Sequence, residues 1–65
     1  MFCQLRAVTT AKVNMRKSYS TSSAVIRTLP RNTVVAVGAY NQNWAYVSYG
    51  GKKGFIQLKY LQRIS

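Results

Sequence analysis

Apolar and polar residues alternate with a period of two along several short stretches of the chain, and the apolar positions are rich in β-branched and aromatic side chains. Successive side chains of a strand point to opposite faces, so this pattern predicts half-buried strands rather than helices. A mostly β fold is expected. The first strand is predicted over residues 5–13, with Thr9, Thr10 and Lys12 marking an edge-like or strongly bent course. The polar stretch NMRKSYSTSS, residues 14–23, has no apolar periodicity and many serines, and is expected to form a long loop.

The stretch AVIRTL, residues 24–29, returns to strand character and is stopped by Pro30-Arg31-Asn32, because proline offers no ladder donor. Residues 33–40 make the most apolar strand, and Asn41-Gln42-Asn43 is a compact polar turn into Trp44. In WAYVSY, residues 44–49, Trp44, Tyr46 and Ser48 share one face while Ala45, Val47 and Tyr49 share the other. Ala45 and Val47 are the better core candidates, which leaves Trp44 and Tyr46 on a surface or its rim, in a binding-face geometry. Gly50-Gly51 can supply the positive φ of a tight hairpin return, and Gly54-Phe55-Ile56 opens the fifth strand. Leu58-Lys59-Tyr60 reads as a single helical turn, and residues 61–64 as a last short strand.

Composition narrows the function. At 65 residues the chain has room for one small core and is expected to be a single domain. Ten Lys and Arg against no Asp, Glu or His give a formal charge of +10, so an anionic partner is the first expectation. The same absence argues against catalysis, since general acid–base chemistry draws on His, Asp or Glu, and neither the serines nor Cys3 has a base to activate it. Metal ions want several Cys or His, or carboxylates, so neither a metal nor a cofactor is expected. Cys3 is the only cysteine and cannot form an internal disulfide. It is expected to be a free thiol packed on the barrel as a small hydrophobe, with an intermolecular disulfide as the alternative.

The opening MFCQLRAVTTAKV lacks the features of a secretory signal, and the longest apolar stretch, TVVAVGAY, is too short to cross a bilayer. A soluble chain without membrane insertion is expected, either cytoplasmic or a domain of an exported parent. A monomer is expected as well, because a charge of +10 on each copy opposes pairing of exposed strand edges.

Five or six short strands, a long first loop and a tight final hairpin describe a small SH3-like barrel. The segments VNMR, STSSAVIRTLPRNTVV, NWAYVSYGGKKGFI and LKYL resemble a bacterial SH3 (SH3b) domain, and the resemblance covers residues 7–61. The resemblance implies a binding module that targets enzymes to the bacterial cell wall by recognising peptidoglycan peptides or cross-bridges, or else one that binds proteins. The chain departs from the family pattern at Lys17-Ser18-Tyr19, where a Ser-Gly-Pro-like turn is frequent, and at Arg27, where a small residue is common. Trp44 and Tyr60 are the nearest counterparts of the residues with which eukaryotic-type SH3 domains receive proline-rich helices. Those ligands orient a basic residue against acidic residues of the first loop, whereas this loop offers Arg16 and Lys17, so a basic ligand would be repelled.

The candidate ligand-binding residues are therefore Trp44, Tyr60, Tyr19 and Tyr46, whose ring faces can stack on a peptide, sugar or base, with Arg16 and Lys17 beside them. The blander reading is that some of these rings cap a small core and that each cation is merely solvated. The run Gly50-Gly51-Lys52-Lys53-Gly54 is read as hairpin geometry and not as a phosphate loop, because it joins two strands instead of opening a helix. Three functions fit: a module docking on an anionic or peptidic wall component, an SH3-like nucleic-acid binder, or a small interaction factor, such as one of phage or mobile-element origin, clamping an acidic protein surface.

Overall fold

A computed structural model describes residues 5–64, and the predicted packing of Cys3 lies outside them. Among the described residues the elements are β1 (Leu5–Thr9), β2 (Val13–Arg16), β3 (Val25–Leu29), β4 (Val34–Tyr40), β5 (Trp44–Tyr49), β6 (Lys52–Gln57), a 3-10 turn (Leu58–Tyr60) and β7 (Leu61–Arg63). The seven strands form one antiparallel sheet in the order β3-β2-β6-β5-β4-β1-β7. Ala7, Val13, Met15, Leu29, Val35, Val37, Ala45, Val47 and Ile56 make the buried core. Six strands contribute to this one cluster, so the sheet curls around it as an SH3-like barrel does.

The all-β class and the closing 3-10 turn match expectation, while β6 begins at Lys52 and not at Gly54, and two further boundaries differ. The predicted first strand, residues 5–13, is two strands separated at residues 10–12, which raises the number of strands to seven. The predicted loop is shorter than residues 14–23, because VNMR belongs to β2. In VNMR the buried residues Val13 and Met15 alternate with Asn14 and Arg16, a period-two pattern too short to stand out beside the serine-rich stretch that follows.

Thr9 explains the break. Its side chain is fully buried, with its hydroxyl donating to the Pro30 carbonyl (2.7 Å) and accepting from the Thr33 amide (2.9 Å). Its backbone amide donates to the Thr33 carbonyl and its carbonyl accepts from the Asn32 amide, each at 2.9 Å. A threonine in a predicted strand thus serves as the buried anchor of the Pro30–Thr33 turn, in which Asn32 adopts the left-handed conformation that asparagine tolerates (φ 69°). Next along the chain, the Thr10 amide donates to the Tyr60 carbonyl (2.8 Å), tying the bend to the 3-10 turn.

Gly54 governs how β2 meets β6, which pair at Arg16 and Phe55. A Cβ on Gly54 would lie 2.8 Å from both the Arg16 carbonyl oxygen and Met15 Cγ, and 2.9 Å from Ile26 Cδ1. Only glycine lets the two backbones approach so closely. Gly50 and Gly51 form the two-residue return between Tyr49 and Lys52, both with positive φ (60° and 80°), as a hairpin of this length prefers.

Candidate binding groove

The outer face of β5 and β6 is built by cross-strand pairs. Trp44 stands opposite Gln57, Tyr46 opposite Phe55, and Ser48 opposite Lys53, while Ala45, Val47, Gly54 and Ile56 turn inward. Alternation therefore places the predicted Trp44 and Tyr46 outside, and adds Phe55, whose strand neighbours Gly54 and Ile56 are buried. The Phe55 ring is the hub of an aromatic group. Tyr46 packs against it at 4.9 Å between centroids, and Tyr19, arriving from the loop between β2 and β3, meets it edge-on at 5.8 Å.

Tyr19 is carried there by a loop stitched with serines. The Lys17 amide donates to the Ala24 carbonyl (2.9 Å), and the Ser23 hydroxyl reaches the carbonyls of Ser20 (2.7 Å) and Ser18 (3.0 Å). Arg16 Nη1 donates to the Ser23 carbonyl at 2.9 Å, so this predicted ligand residue spends part of its guanidinium on holding the loop. Short polar side chains that bond to nearby backbone give the stretch a fixed shape without a hydrophobic core.

Trp44 is placed by the turn before it. The Asn41 carboxamide oxygen accepts from the amides of both Asn43 and Trp44, each at 2.8 Å, and the Asn41 amide donates to the Trp44 carbonyl at 2.9 Å. The Leu58 amide then donates to the Asn43 carbonyl (2.8 Å), fastening the turn to the 3-10 segment.

Trp44 forms the wall between two hollows. The larger, about 450 Å³, lies between Tyr19, Ser20 and Thr21 of the loop and the Gln42–Trp44 stretch, and is floored by Gln57 and Lys59. The smaller, about 180 Å³, is aromatic: Tyr19, Tyr40, Trp44, Tyr46 and Phe55 surround Ala39 and Asn41. Ala39, which borders it, follows the irregularity in β4 between Val37 and Ala39, where Gly38 lies close to Tyr46.

Tyr60 and Arg16 come together in a third hollow of about 230 Å³, with Lys12, Val13 and Asn14. Gln57 borders both this hollow and the larger Trp44 hollow, so the two adjoin at the end of β6. Lys59 also adjoins both aromatic groups, its Nζ lying 5.2 Å from the Tyr60 ring centroid. Of the six predicted residues, Trp44, Tyr19 and Tyr46 share one neighbourhood, and Tyr60 and Arg16 share the adjoining one. Lys17 is exposed and borders none of the three hollows. Sequence reasoning did not single out Phe55, Tyr40, Gln57 and Lys59. The alternation along β6 was the available signal for Phe55 and Gln57, while Tyr40 and Lys59 enter only through the meeting of separate segments.

The family described as bacterial SH3 domain matches residues 11–62 of the chain, from the bend before β2 into β7. A search of curated proteins gives no match. Members of that family are binding modules, generally without enzymatic activity and commonly directed at the cell wall. With most of its length matched and its strands in the SH3-like arrangement, the chain belongs to the bacterial SH3 domain family.

Proposed function

We propose that the chain is a single SH3b binding unit that docks on a peptidic component of the bacterial cell wall through the groove centred on Trp44. The observation that carries this reading is the position of Trp44 as the wall shared by a polar and an aromatic hollow, both bordered by Tyr19. A tryptophan held by its backbone and presenting its ring between two concavities is well suited to anchor an extended ligand. The adjoining cations, Lys12, Arg16 and Lys59, favour a peptide that carries carboxylates, because the chain has no acidic side chain to neutralise them.

The test is co-sedimentation with purified peptidoglycan at moderate salt. Parent protein is expected in the pellet and Trp44→Ala in the supernatant. Equal retention of both would remove Trp44 from the binding site. A competing oligonucleotide that releases the parent from the pellet would instead favour the nucleic-acid reading, for which the exposed rings and the charge of +10 are the motivation.

A further inference from the structure

The far end of the β5–β6 hairpin carries a second arrangement that the groove does not use. There the Arg27 guanidinium of β3 lies over the Tyr49 ring, with Cζ 5.3 Å from the centroid. It also lies against Gly50, where a Cβ would be 2.8 Å from Arg27 Nη1. Arg27 is thus seated between an aromatic face and a residue without a side chain. Unlike Arg16, which donates to a backbone carbonyl, Arg27 has no hydrogen-bond acceptor among the described residues. The sequence supplies no carboxylate side chain to pair with it. Its donors are unused, so a ligand oxyanion would meet a guanidinium fork already resting on the Tyr49 ring.

Lys52 stands directly opposite Tyr49, which places both on the same face of the hairpin beside Arg27. Lys53 points to the other face, in a cross-strand row that runs Lys53, Ser48, Ala36, Arg6. Cations therefore continue around the hairpin end from one face to the other, with only Ser48 and Ala36 between the last two. Such a path fits an anion that repeats.

From these features we infer that the hairpin end binds a polymer of phosphodiesters without bases, such as a polyol phosphate, with Arg27 and Lys52 gripping one phosphate and Lys53 and Arg6 a later one. Phosphate is favoured over an isolated carboxylate because the cations recur along a path. Stacked bases are disfavoured at this site because Arg27 occupies one face of the Tyr49 ring. Trp44, which lines the groove hollows, lies at the opposite end of β5, roughly 17 Å away along the strand. A single-strand nucleic-acid site instead interleaves cations with free ring faces.

The experiment is calorimetric titration of the whole chain with a short poly(glycerol phosphate) at several salt concentrations, comparing Arg27→Gln with Arg31→Gln. Both variants remove one exposed arginine charge, but Arg31 lies in the turn after β3. Arg27→Gln should weaken binding roughly tenfold, as expected for one charge-assisted contact. It should also make the log–log salt slope shallower by about 0.7, the value for one phosphate on a flexible strand. Arg31→Gln should change neither appreciably, and Arg27→Lys, which keeps the charge without the fork, should fall between. Equal losses in the Arg27→Gln and Arg31→Gln variants would reduce the effect to diffuse charge and overturn the site. Tighter binding of single-stranded DNA with the same number of phosphates would overturn the choice of polymer. The site is independent of the groove: Arg27→Gln should still sediment with peptidoglycan stripped of phosphate polymers, where Trp44→Ala does not.

Discussion

Tyr19, within the eight-residue gap in the ladder between β2 and β3, meets Phe55 of β6 edge-to-face at 5.8 Å, and this contact fixes the loop over the sheet. The loop is otherwise held by bonds among its own serines and by Arg16, so Phe55 is its aromatic foothold on β6. A double-mutant cycle with Tyr19→Ala and Phe55→Ala, read by denaturant melts, should give a coupling energy of about 0.5–1.5 kcal/mol. Tyr19→Phe should preserve both the coupling and peptidoglycan retention. A coupling near zero would detach the loop position from this ring pair.

Asn41 should act as a positioning residue for Trp44. Its carboxamide oxygen accepts two amides of the turn, so Asn41→Ala leaves the Asn43 and Trp44 amides without that acceptor, while Asn41→Asp keeps an acceptor in place. The expected result is weaker peptidoglycan retention for Asn41→Ala with recovery in Asn41→Asp. The tryptophan fluorescence maximum should shift in the alanine variant alone. Unchanged emission together with unchanged retention would show that the turn does not set the ring's placement.

Much of the fold was legible because one face of most strands is buried and the other is not. Ala45 and Val47 against Trp44 and Tyr46 is the clearest case, and Gly50-Gly51 announced its hairpin by chemistry that few other residues satisfy. Thr9, Thr10 and Lys12 marked a bent course, but not that the strand divides there, because the break depends on a hydroxyl meeting Pro30 and Thr33, more than twenty residues away. The candidate groove was half legible for the same reason. Trp44 and Tyr46 follow from strand alternation, whereas the separation of Tyr60 from Tyr46 and the sharing of Gln57 between hollows arise from packing distant segments.

Thr9 offers a direct test of that buried turn. Thr9→Val keeps the volume but removes the acceptor for the Thr33 amide, while the Pro30 carbonyl retains the Thr33 hydroxyl as donor. One buried amide left unpaired should cost about 1–3 kcal/mol, measured as a fall in the denaturant midpoint with an unchanged m-value. Thr9→Ser keeps the hydroxyl and should cost less. Equal stability of Thr9→Val and the parent would mean that the hydroxyl carries none of the turn's stability.

Gly54→Ala tests the close approach of β2 and β6. The added methyl would meet the backbone oxygen of Arg16 as well as Met15 and Ile26, and the backbone contact cannot be relieved by a rotamer change. Overpacking at such a point should destabilise the chain by about 1–3 kcal/mol. Gly38→Ala is the comparison, because there the nearest atoms would lie at 3.7 and 3.8 Å, ordinary contact distances. Its melting temperature should stay close to the parent's. Similar losses at both glycines would point to a general cost of strand alanines, not to the β2–β6 contact.

The response of stability to pH and to salt should separate cleanly in this chain. Stability changes with pH only where the folded and unfolded states bind different numbers of protons. Asp, Glu and His, which titrate from roughly pH 3 to 7, are all absent. Side chains therefore contribute no slope across that window, and the acid denaturation caused by protonating native carboxylates has no side chain to act on. The charge of +10 remains throughout, and it opposes the compact state at every pH in the window. Thermal melts should accordingly be nearly flat from about pH 4 to 7 and should rise with sodium chloride, as counterions screen the repulsion. A polyanion that binds the folded chain should raise the melting temperature further, by mass action. A steep loss of stability in acid, or a melting temperature indifferent to salt, would contradict the view that uncompensated positive charge is the main electrostatic strain on this fold.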